Sequence, residues 1–187
     1  QIFEAETTEQ VAEWRHNRTP IPEQVRILAG ICAHINEIVK DPQKVYYSIE
    51  NNTIGEAALI SIDEYGEENI QGYFLSDPHS GGNRRYRKGF NTTNKPKLAA
   101  CNKLKTLIES GRMKVRSSSF VSELKTFIAA GVSYAAKQGE TDDLVMATVL
   151  TVRMLQLLQT YDNSIDTQLR DHGDNIIPPM PFISVRR

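Results

Sequence analysis

The chain has 187 residues, 40% hydrophobic and 24% charged, with a formal net charge of −1, which is enough to close one sizeable core and too little for two independent ones. Its two cysteines, Cys32 and Cys101, lack any Cys/His metal spacing, which argues against a disulfide framework and for reduced core thiols in a cytoplasmic compartment. The longest apolar stretch, Leu144 to Leu158, is broken by Thr148, Thr151, Arg153 and Gln156 and falls short of a membrane span; no membrane partner is expected, and the first residues do not read as a signal peptide.

Gln1 to Ala5 and Val11 to Arg15 are short mixed segments either side of the polar Glu6 to Gln10, the pattern of an antiparallel hairpin. Strand-like sequence beginning at Gln1 without an initiating Met reads as part of a longer protein. Pro20 and Pro22 open a helix whose apolar residues Val25, Leu28, Ile31, Cys32, Ile35, Ile38 and Val39 recur every three or four positions until Asp41-Pro42 stops it. Val45 to Ile49 is a continuous β-prone run, as a central strand covered on both faces requires, and Glu50 stands at its carboxyl end. Asn51-Asn52-Thr53 supplies an N-cap and a turn into a helix over Ile54 to Tyr65, and Ile70 to Leu75 reads as a further strand. Strands alternating with helices predict an α/β layer architecture.

From Ser76 to Lys95 the chain is rich in Gly, Asn and Arg, long enough for a hairpin or a functional loop. A helix follows from about Pro96 to Ser110, with Leu98, Cys101, Leu104, Leu107 and Ile108 inside and Lys97, Lys103 and Lys105 outside; Gly111 ends it. Met113 to Arg116 predicts a short strand, Ser117 to Ser119 cap a helix containing Val121, Leu124 and Phe127, and Ile128 to Lys137 reads as a strand or hairpin. The last helix spans Thr141 to about Gln159. Residues 1–160 thus form the expected domain, and 161–187, with Pro178-Pro179 and Pro181, an extension or linker.

The near-neutral total hides an asymmetry. Residues 1–82 hold five basic and fourteen acidic side chains, residues 83–116 eleven and one, and residues 117–187 six and eight. A basic segment of this density is the footprint of a surface that faces a polyanion, although a solvated Lys/Arg face has the same composition.

Two acidic positions draw attention. Glu50 ends an apolar strand and Asp142-Asp143 open an apolar helix, where low dielectric disfavours an unpaired carboxylate. Carboxylates without a nearby His, Cys or Ser partner point away from acyl transfer and toward hard cations held by oxygen, Mg²⁺ or Mn²⁺, two of which cleave a phosphodiester by in-line displacement. An Asp pair at a helix start is equally an ordinary cap, and Glu50 equally a partner for a buried Lys or Arg.

Tyr47-Ser48-Ile49-Glu50-Asn51-Asn52, then Lys97 to Glu109, then Gly139-Glu140-Thr141-Asp142-Asp143-Leu144-Val145-Met146, taken in this order, resemble the nuclease domain of phage large terminase subunits, especially the T-even-like branch. The likeness runs from roughly Val11 to Leu158. It implies an RNase H-like α/β fold, a central mixed sheet flanked by helices with a basic loop inserted, that cuts double-stranded DNA with a cluster of three acids and two metal ions. The strand-end acid maps to Glu50 and the helix acid to Asp143, with Asp142 beside it; the family's first-strand Asp has no match and is expected upstream of Gln1, so that this chain alone has an incomplete site. Arg84, Arg85, Arg87, Lys88, Lys95 and Lys97 become candidate DNA-binding residues with little sequence preference, Tyr86 a candidate for packing on sugar or base.

The resemblance also implies an ATPase domain, a portal and a small terminase subunit as partners, and a place at the viral prohead in the host cytoplasm. No G-x-x-x-x-G-K-[ST] loop occurs in the chain, so the motor's ATPase is expected in a preceding domain. Two other readings share the same features: another RNase H-like nuclease such as a junction resolvase, and a non-catalytic DNA-binding or motor-docking module. His16, His34, His79 and His172 are scattered and read as surface or core residues.

Overall fold

The computed structural model of the chain describes residues 1–78, 88–131 and 133–160. The expected N-terminal hairpin forms from β1 (Ile2–Glu4) and β2 (Glu9–Ala12), paired antiparallel. It is stapled to residues 112–117 by buried polar groups. Thr8 Oγ1 donates to the Arg112 carbonyl at 2.6 Å, and the Gln10 side-chain oxygen accepts from the amides of Arg116 and Ser117 at 2.9 and 3.0 Å. The strand expected over Met113 to Arg116 is reduced to one parallel bridge, Glu9 to Lys114.

Helix α1 (Ile21–Val39) has Pro20 at its N-cap and ends on Lys40 in the left-handed region. Val25, Ala29 and Cys32 are buried, with Leu28 and Ile35 packed beside them, but the end of the apolar stripe is not covered: Ile38 and Val39 are exposed. The strand expected over Val45 to Ile49 is β3 (Tyr46–Tyr47), one of a two-stranded sheet with the parallel β4 (Tyr73–Phe74) across helix α2 (Thr53–Tyr65). Successive side chains of a strand point to opposite faces, and β3 uses both. Val45 and Tyr47 enter a core with α1, α2 and Ile70, whereas Tyr46 packs on a second core built from α3 (Asn94–Glu109), α4 (Ser118–Thr126) and α5 (Asp143–Leu158). Continuous hydrophobicity in Val45 to Ile49 therefore reported burial on two sides, as expected.

Ser117 caps α4 by accepting the Phe120 amide at 2.9 Å. Phe127, expected inside that helix, instead begins the hairpin β5 (Phe127–Ala130) and β6 (Ser133–Ala136), where its ring stacks on Tyr134 at 5.9 Å. Among the described residues the strands form three separate two-stranded sheets, with the single bridges Glu9–Lys114 and Glu50–Phe90 beside them, in place of the one central mixed sheet expected. No helix among the described residues is long and apolar enough to cross a membrane.

Candidate metal and nucleic-acid site

Glu50 follows β3 and pairs with Phe90 in a parallel bridge, fixed by the Asn51 amide to the Phe90 carbonyl at 2.8 Å and the Phe90 amide to the Ile49 carbonyl at 3.1 Å. Asn52 does two things here. Its side-chain oxygen accepts the Gly55 amide at 2.8 Å and so caps α2, while its Nδ2 donates to Glu50 Oε2 at 3.0 Å. The helix starts so close to the strand end that a Cβ on Gly55 would stand 1.7 Å from the Glu50 carbonyl oxygen. Gly89 meets the same constraint from the other side, with φ +82 and the Ile49 carbonyl 2.5 Å from where its Cβ would lie.

Phe90 is itself held from α5. The Arg153 guanidinium lies 4.8 Å from the centre of the Phe90 ring, donates to the Asn91 carbonyl at 3.0 Å and pairs with Asp77. Arg153 is only 10% exposed, so this ion pair is shielded from solvent in a way that surface pairs are not.

Asp142 and Asp143 open the same helix, as the N-cap and first residue of α5. Neither acts as the cap. Asp142 makes no side-chain capping bond and instead accepts the Ala136 amide from β6 at 3.2 Å. The amides of Leu144 and Val145, the groups that a capping Asp would take, go to Glu123 Oε2 at 2.7 and 3.2 Å. Glu123 Oε1 accepts from Arg15 Nη1 at 2.9 Å and from Thr141 Oγ1 at 3.1 Å, and the other arm of Arg15 reaches Asp143 at 3.8 Å.

These positions correct one expectation. A low-dielectric setting for the Asp pair is not found: the Asp143 side chain is 70% exposed, and the buried carboxylate at this helix start is Glu123, 6% exposed. The local sequence says little of Glu123, because its partners come from Arg15, Thr141 and α5, 18 and more residues away. The periodicity of α4, which places position 123 with buried Phe120, was the one available signal.

Carboxylate oxygens suit a hard divalent cation, and Glu50, Asp142 and Asp143 offer them. The fit is partial, because among the described residues no three His, Cys, Asp or Glu side chains gather into a group that could hold a metal ion. His16 bonds Thr19 and His34 neighbours Glu37, so neither serves the acids; His79 and His172 lie outside the described residues.

Of the candidate DNA-binding residues, Arg84, Arg85 and Arg87, with Tyr86, lie outside the described residues. Lys88 is engaged already. Its ammonium sits 2.6 Å from Glu67 and 3.0 Å from Asp63, and these carboxylates hold its pKa above the ordinary lysine value. Lys95 is exposed at the start of α3, and Lys97, expected outside, is half-buried one turn before Cys101. Burial raises the Cys101 thiol pKa, against a smaller opposing effect of Lys97. The first turn of α3 holds no acidic residue, so both lysines add positive charge where the helix dipole is already positive.

The family model for the Terminase RNaseH-like domain matches residues 8–155. The chain belongs to that family, and its α/β architecture of helices and short strands is the RNase H-like one of a packaging-terminase nuclease-type domain.

Proposed function

We propose that this terminase domain is a Mg²⁺- or Mn²⁺-dependent endonuclease that cuts concatemeric double-stranded DNA when packaging starts and ends. The observation that carries the reading is the state of the Asp pair: the α5 amides are satisfied by Glu123, so Asp143 stands exposed at the helix start with no capping task. On this reading Glu50 and Asp143 hold metal, with Asp142 beside them. The chemistry supplied by the two ions is activation of water and stabilisation of the departing oxygen.

The protein's own part is to hold the acids and the DNA. Lys95 and Lys97 reinforce the positive end of α3, which begins four residues after Phe90, the backbone partner of Glu50. A helix start that carries two lysines and no acid costs stability unless an anion is nearby, which favours phosphate contact. Arg84, Arg85 and Arg87 extend this basic run, and the expected partners are the ATPase domain, the portal and the small terminase subunit.

The test is nicking of supercoiled plasmid by the full-length protein in Mg²⁺ or Mn²⁺. Glu50→Gln and Asp143→Asn should each abolish it, and cutting that survives both would overturn the metal-holding role given to these acids. Arg84→Ala combined with Arg85→Ala should weaken binding equally across sequences and flatten its salt dependence. Unaltered affinity at low salt would turn that loop toward another component of the motor.

A further inference from the structure

Glu123 is the one buried carboxylate among the described residues, and it is fully engaged. An ionised carboxylate has about four acceptor sites. Four donors meet them: Arg15 Nη1 and Thr141 Oγ1 on one oxygen, and the amides of Leu144 and Val145 on the other. The last two are the second and third amides of α5, which in most helices go to the N-cap side chain itself. Here that side chain is Asp142, and its carboxylate is turned to the Ala136 amide.

We infer that Glu123, with Arg15, is a positioning residue: it caps α5 in place of Asp142 and so keeps the carboxylates of Asp142 and Asp143 off the helix backbone. This rests on the nuclease reading for what those carboxylates then do. Arg15 completes the arrangement by spanning a buried acid and an exposed one, 2.9 Å from Glu123 and 3.8 Å from Asp143. Because the guanidinium is a rigid fork, its hold on Glu123 through Nη1 and on Thr141 Oγ1 through Nη2 at 3.2 Å sets the bearing of the arm that also faces Asp143. Without Glu123 the orphaned amides would draw in the nearest acceptor, the Asp142 side chain.

The experiment compares wild type with Glu123→Gln in the full-length protein, by crystallography without metal and by electron paramagnetic resonance of added Mn²⁺. Glutamine keeps one acceptor oxygen and turns an NH₂ toward donors; the oxygen stays on the Arg15 cation, the stronger charge-assisted donor, so the amides of Leu144 and Val145 lose their acceptor. The expected result is an Asp142 carboxylate rotated onto the amide of Leu144 or Val145, with Mn²⁺ affinity about tenfold weaker and DNA affinity unchanged. Asp142 and Asp143 side chains in their wild-type rotamers would overturn the inference, whatever the affinity. Rotation with undiminished Mn²⁺ binding, or a wild type that binds no Mn²⁺, would instead sink the metal reading of the Asp pair and leave the positioning intact. Should the glutamine variant not fold, Arg15→Gln leaves the Glu123 cap in place. It should disperse the Asp143 rotamer and weaken Mn²⁺ binding, and an unmoved Asp143 with unchanged binding would refute the Arg15 half of the inference.

Discussion

The two helices that begin beside the candidate acids solve the same problem in different ways. At α2 the capping group is local: Asn52 accepts the Gly55 amide and donates to Glu50 from the same side chain. At α5 it is remote, since Glu123 reaches across from α4 to the amides of Leu144 and Val145. In both cases a residue other than the candidate acid satisfies the helix start. Asn52 steadies Glu50 by a hydrogen bond, whereas Glu123 leaves Asp142 and Asp143 unneeded as caps. The acids of this domain are therefore separated from the structural work that their positions ordinarily impose, once by a neighbour in sequence and once by a neighbour only in space.

The most severe disruption is expected at Gly55. A Cβ there would lie 1.7 Å from the Glu50 carbonyl oxygen, so Gly55→Ala should cost about 3 kcal/mol or more in a urea titration and lose plasmid nicking as Glu50 is displaced. Next comes the remote cap. Glu123→Ala strands two backbone amides and the Arg15 guanidinium, and should lower stability by about 2 to 3 kcal/mol.

An alkaline test isolates the Glu50 side. Tyr47 is 4% exposed and its hydroxyl has no partner among the described residues; burial first, then the Glu67 and Cys32 charges, push its pKa from 10.0 to about 12, against Lys88. Because the folded value lies above the unfolded one, its contribution is fully present below pH 10 and is lost as pH rises through 12. Stability read from urea titrations should fall across that window by up to about 3 kcal/mol, and Tyr47→Phe should remove that part of the slope. The smallest effect belongs to the local cap: Asn52→Ala should cost about 1 kcal/mol. A cost equal to that of Glu123→Ala would erase the distinction between the two helix starts.

How much of this could be read in advance follows from the same distinction. The Asn52 cap was legible because Asn51-Asn52-Thr53 stands directly before an apolar-periodic run, and the burial of β3 on both faces because Val45 to Ile49 never alternates. Helix α4 was overrun by one residue: Phe127 fits its apolar spacing, but pairing with Ala136 and stacking on Tyr134 draw it into β5. The strand over Met113 to Arg116 shrank to one bridge because Gln10, a side chain, takes the amides of Arg116 and Ser117 that a ladder would use. Glu123 and Arg15 were harder to read for a deeper reason: beyond the spacing that sets Glu123 with Phe120, their meaning lies in contacts made across the fold, which residue type does not announce.

Arg153 gives α5 a metrological role. The helix carries the Asp pair at its first turn and, through Arg153, grips the backbone partner of Glu50. Ten residues of α-helix between Asp143 and Arg153 make a rod of about 15 Å, and each residue turns about 100° around it. The helix is thus a gauge block between the two acidic stations: one residue inserted between Asp143 and Arg153 would lengthen it by about 1.5 Å and swing the Asp pair through more than a quarter turn. The buried face of this segment is fixed by the core, and its count of residues is a dimension of the proposed site.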